Sequence, residues 1–116
     1  MKDVKLSEFR MKIYNHEEKQ ALNKELVIID FYADWCEPCK VMDNVLSQLE
    51  KEFQNVTFIK INAEEEYELT EYFKIKNLPT LIFLDVKGNI STFSGLISKE
   101  QLSKKISKFI NIEELV

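Results

Sequence analysis

The chain has two cysteines, two glycines, two prolines, one histidine and one tryptophan in 116 residues. Each scarcity excludes something. Cys36 and Cys39 are the only thiols, so no disulfide framework staples the fold. Zinc usually takes four ligands, and the single His16 falls in a separate predicted helix. An iron–sulfur cluster bridging two chains could use such a pair, but nothing else in the sequence supports one. No run has the length of a membrane span; the longest apolar stretch, Leu26 to Ala33, is broken by Asp30. Repeats, linkers and low-complexity segments are missing as well.

Met1 to Arg10 is charged throughout and lacks the apolar centre of a signal peptide, which points to the cytoplasm. A chain whose leader had been removed would look the same, so a periplasmic location stays open. The net charge of −4 argues against nucleic acid and anionic membranes as partners. What is present is an ordinary globular composition, 45% apolar and 31% charged, long enough to bury a core without metal. One domain over 1–116 is expected. Without a long exposed apolar stripe, a monomer is the default.

Phe9, Met11 and Ile13 alternate with polar neighbours and predict a half-exposed first strand. Asn15 with Glu18 reads as a capping box for a short helix over His16 to Asn23. Leu26 to Tyr32 reads as a strand buried on both faces. From Cys36 to Phe53, the apolar positions Val41, Met42, Val45, Leu46, Leu49 and Phe53 recur at helical spacing, with Pro38 in the first turn where its missing N–H costs nothing. Val56 to Ile61 is the next strand. The acidic run Glu64 to Glu66 suits a helix start better than a metal site, and that helix extends to about Phe73.

Strands over Thr80 to Leu84 and Ile90 to Ser94 flank a turn containing Gly88. Ser98 with Gln101 then caps a last helix that buries Leu102, Ile106, Phe109 and Ile110. Lys104, Lys105 and Lys108 are placed near its C-terminal end. The predicted order, β-α-β-α-β-α-β-β-α, is an α/β fold with a central mixed sheet and helices on both faces.

The chemistry concentrates in Trp35-Cys36-Glu37-Pro38-Cys39-Lys40. Residues three apart on a helix lie one above the other, within reach of a disulfide. Cys36 sits at the positive helix start, where a thiolate is stabilised and its pKa falls below the free value near ~8.5. Cys39 lies one turn further in and is expected to be less exposed. Cys36 is therefore the nucleophile toward a substrate disulfide, and Cys39 resolves the mixed disulfide.

Asp30 is a carboxylate inside a buried run, so its pKa should be raised and it should exchange a proton with Cys39, through water. A hydrogen-bonded structural Asp is the competing reading. Lys60 interrupts the next strand in the same way. It either pairs with Asp30 and modulates that group, or snorkels to the surface.

Asp30-Phe31-Tyr32-Ala33-Asp34-Trp35-Cys36, Ile75-Lys76-Asn77-Leu78-Pro79-Thr80, and Gly88 with Gly95 together resemble the thioredoxin family over nearly the whole chain. The resemblance implies a thioredoxin fold and general protein disulfide reduction. It implies no bound cofactor beyond the Cys36–Cys39 disulfide, with electrons from NADPH through thioredoxin reductase. It also implies Pro79 as a cis residue and an apolar docking surface made by Trp35, Leu78, Pro79, Gly95 and Leu96. Substrate backbone would pair with Leu78 like an added strand.

Four positions depart from the family pattern. Glu37 stands in place of Gly, and a carboxylate there disfavours the Cys36 thiolate and makes the disulfide harder to reduce, unless it is only an exposed helix-start residue. With Pro38 it forms the redox-tuning dipeptide. Asn44 replaces a helix-kinking Pro, Tyr32 a common Trp, and Asn77 a common Gly. Three functions follow: a protein disulfide reductase, which leads; a dedicated extracytoplasmic reductase or oxidant; and a binding subunit whose thiols are incidental.

Overall fold

In the computed structural model, which describes residues 1–114, strand β4 (Val27–Tyr32) forms the centre of the molecule. Its residues are apolar on both faces except Asp30, the pattern of a strand covered from both sides. It pairs in parallel with β5 (Thr57–Asn62) and antiparallel with β6 (Thr80–Leu84). Two edge strands, β1 (Lys2–Asp3) and β7 (Ile90–Ser94), complete a five-stranded mixed sheet of order β1-β5-β4-β6-β7.

Alternation along β4 divides the core. Val27, Ile29 and Phe31 face α1 (Leu6–Lys12) and α3 (Tyr67–Tyr72), joining Phe9, Ile59, Ile61, Leu69 and Phe73. Leu26 and Ile28 face α2 (Glu37–Glu52) and α4 (Lys99–Glu114), with Met42, Leu46, Leu49, Leu102 and Ile106. Asp30 belongs to this second register, beneath α2. Phe109 and Ile110 pack there too, only partly buried. Ser98 caps α4 through its hydroxyl, which accepts the Gln101 N–H at 3.2 Å. Because α4 runs to Glu114, Lys104, Lys105 and Lys108 lie in its middle rather than near its end.

The N-terminal third departs from expectation. The predicted strand over Phe9 to Ile13 is helix α1 followed by its C-cap. Phe9 and Ile13 are four apart, so one helix face buries both, whereas Met11 is 76% exposed; a strand would have turned all three the same way. The predicted helix from His16 to Asn23 is a small hairpin, β2 (Tyr14–Asn15) with β3 (Gln20–Ala21). Asn15 does cap, but it caps a turn: its Oδ1 accepts the N–H groups of Glu17 and Glu18. Lys19 closes that turn at φ 54°, a conformation disfavoured for any residue but glycine.

The Glu64–Glu66 run ties α3 to α1. Asn62 Oδ1 accepts the Glu64 and Glu65 N–H groups, Glu66 Oε1 accepts the Leu6 N–H at 2.7 Å, and Glu65 pairs with Lys5. His16 is buried against Tyr72 and bonds Glu68, on the opposite sheet face from α2. Among the described residues no helix is long and apolar enough to cross a membrane.

Candidate active site

The site forms where β4 gives way to α2. After Tyr32 the chain turns through Ala33, Asp34 and Trp35, and the Cys36 N–H closes that turn on the Ala33 carbonyl at 3.2 Å. Cys36 then takes the N-cap position with extended backbone, and its sulfur accepts the Cys39 N–H at 3.3 Å. A side chain that caps its own helix this way sits in the positive field of the first turn. Pro38 lies in that turn, where no backbone donor is lost. Cys36 and Cys39 are joined as a disulfide with their Cα atoms 5.3 Å apart. Both cysteines are 3% exposed, so the expected difference in exposure is not seen in this disulfide form. Their positions on the helix separate them instead: Cys36 caps it, and Cys39 borders a cleft.

Glu37 is exposed and points to Lys40, 2.8 Å away, rather than standing as an isolated charge beside Cys36. Asn44 lies within an unbroken sixteen-residue α2.

On one flank the Leu78–Pro79 peptide bond is cis. Leu78 packs against Ala33 and the two cysteines, and Pro79 is buried. The Thr80 hydroxyl donates to the Asn77 carbonyl at 2.6 Å, and the Gly95 N–H to the Pro79 carbonyl at 2.9 Å, so two loops are locked together beside the sulfurs. Gly95 is there for its φ of +87°, since a Cβ would meet nothing within 4 Å. Among the described residues the Leu78 N–H and carbonyl make no hydrogen bond. Trp35 and Leu96 are 66% and 55% exposed, large apolar side chains left to solvent. Of the five residues expected to dock substrate, Trp35 and Leu96 are open, Leu78 and Gly95 half-buried, and Pro79 covered.

On the other flank lies a cleft of about 220 Å³ lined by Tyr32, Ala33, Asp34, Cys39, Lys40, Asp43 and Lys60. Asp30 lies beneath it with no exposed surface, and neither carboxylate oxygen has a hydrogen-bond partner. Burial, reinforced by the nearby Asp43 carboxylate and opposed by Lys60, pushes its pKa up to about 7. Of the two readings of Lys60, the direct pair with Asp30 does not form. The two residues are register neighbours, but the Lys60 ammonium reaches past Asp30 to Asp43 at 3.5 Å and lies 5.1 Å from the centre of the Tyr32 ring. A long lysine stem can choose between two carboxylates, and this one takes the better-solvated one. Nothing in the sequence marks Asp43 except its spacing of four from Cys39, which puts both on one helix face.

A family model described as Thioredoxin matches residues 6–108. Thioredoxin H5 of Arabidopsis thaliana is 33% identical over 99 residues, covering 84% of this chain and 83% of that protein. Thioredoxin of Buchnera aphidicola is 32% identical over 98 residues, covering 84% and 91%. Among solved structures, chloroplastic thioredoxin z shares the fold at 21% identity with a TM-score of 0.79, over 94% of this chain and 93% of that one. Oxidised mitochondrial thioredoxin 3 of Saccharomyces cerevisiae superimposes with a TM-score of 0.73 at 25% identity, over 93% and 94%. With a dithiol pair already bonded at the start of α2, this chain belongs to the thioredoxin family and is a thiol–disulfide oxidoreductase that needs no bound cofactor.

Proposed function

We propose that the protein is a cytoplasmic, monomeric protein disulfide reductase, recharged by NADPH through thioredoxin reductase. The observation that carries the reading is the disulfide at the helix N-terminus, beside the unbonded backbone of Leu78. A substrate strand pairs with Leu78 while its side chains rest on Trp35, Gly95 and Leu96, and Pro79 shapes the floor. The Cys36 thiolate attacks one substrate sulfur and the other leaves as a thiolate. Asp30 takes the Cys39 proton through water, and Cys39 then attacks the Cys36 sulfur. That step releases the second substrate sulfur and re-forms Cys36–Cys39, so two electrons pass from protein to substrate.

A carboxyl with a pKa of about 7 holds and gives up a proton with equal ease near neutrality, as this relay needs. The Cys36–Cys39 reduction potential, measured by equilibration against glutathione and dithiothreitol, tests the direction of flow. A value near that of known thioredoxins, about −270 mV, supports a reductase, and one near −120 mV overturns it in favour of an oxidant.

A further inference from the structure

We propose that Asp43 is a positioning residue of the thiol–disulfide reaction: its carboxylate holds the Lys60 ammonium at the cleft beside Cys39 and away from Asp30. The inference rests on the reading of Asp30 as the proton acceptor for Cys39. Asp30 and Lys60 are paired in register on adjacent parallel strands, so their side chains rise on the same sheet face, toward α2. From there the lysine can fold onto Asp30 or extend to α2. It extends to Asp43, one turn beyond Cys39, and Asp30 is left with both oxygens unbonded. The charges around Asp30 are Lys60 from β5 and Asp43 from α2, with Lys40 and Asp34 also lining the cleft. From β6 the residue opposite is the apolar Leu81. An ammonium folded onto Asp30 would hold it as a salt-bridged carboxylate, a poor acceptor for a thiol proton. Asp43 prevents that.

Asp43 is half-exposed, so its substitution leaves the core intact. The test follows the ¹³C shift of the Asp30 carboxyl against pH in the oxidised protein, for wild type, Asp43→Asn, Lys60→Met and the double variant. Asp43→Asn should lower the Asp30 midpoint by about one pH unit, because a negative charge is lost and Lys60 is released toward Asp30. Lys60→Met should raise it. In the Lys60→Met background the effect of Asp43→Asn should shrink to roughly half or less, and Asp43→Glu should restore the wild-type midpoint. An unchanged midpoint in Asp43→Asn, or an equal drop with and without Lys60, overturns the proposal. The pH profile of disulfide reduction separates this from the reading beneath it. If Asp30→Asn leaves that profile unmoved, the proton-acceptor role falls, whereas the carboxyl titration still decides where Asp43 holds Lys60.

Discussion

The backbone N–H of Cys39 points at the sulfur of Cys36, 3.3 Å away, so the first turn of α2 donates to its own N-cap sulfur. After reduction the same donor, with the helix dipole behind it, favours the Cys36 thiolate. Reduced protein treated with substoichiometric iodoacetamide at pH 7 should therefore carry label on Cys36 over Cys39 by about tenfold or more. Peptide mapping by mass spectrometry reads the ratio.

Asp30 makes stability fall as pH rises. Its pKa is about 7 in the folded chain against 3.8 when unfolded, so between those values the folded state holds a proton that the unfolded state has lost. The protein is at its best, with respect to this group, below pH 3.8. The penalty grows through pH 7 to about 4 kcal/mol. Asp30→Asn removes the titration. Urea unfolding should find that variant gaining on wild type between pH 4 and pH 8, by a few kcal/mol at the upper end. A constant difference across that range would mean that Asp30 is not raised.

The Glu37–Lys40 pair is exposed on both sides, which limits what Glu37 does to the thiolate. Lys40→Gln leaves Glu37 unpaired one residue from Cys36. The Cys36–Cys39 potential should then become more negative by about 10 mV, while Glu37→Gly moves it less negative by a similar amount. Equilibration against dithiothreitol resolves both directions.

Phe9 has no exposed surface and Met11 is 76% exposed. Phe9→Ala should cost about 3–5 kcal/mol and Met11→Lys less than about 0.5 kcal/mol. Chemical denaturation distinguishes this helix from the strand that the local pattern favours, in which both changes would be costly.

That misreading shows where local pattern runs out. Phe9, Met11 and Ile13 fit a period of two, but Phe9 with Ile13 fits a helix face equally well, and only tertiary packing discards Met11. The β2–β3 hairpin escapes because each strand is two residues long and its left-handed turn position is Lys19, where neither Gly nor Asn marks it. β1 is shorter than any periodicity can register. By contrast β4, α2 and β6 are legible because long apolar runs or sustained helical spacing leave one solution, and β7 because the Gly88 turn folds it back on β6.

At the site, the CxxC pair and Pro79 stand out as rare residues beside apolar segments. Asp30 stands out because burying a carboxylate is costly. Lys60 pairs with Asp43 on α2 rather than with its register neighbour Asp30, a contact between separate elements that no string of residues displays.

Cys39→Ser gives the most direct test of the dithiol cycle. The reduced variant, mixed with a disulfide-bonded protein substrate, should accumulate a covalent adduct through Cys36, because attack occurs and resolution cannot. Cys36→Ser should form none. Mass spectrometry that finds the substrate thiol on Cys36 at near-stoichiometric yield is the predicted result. An adduct-free Cys39→Ser that still reduces substrate at the wild-type rate would contradict the account.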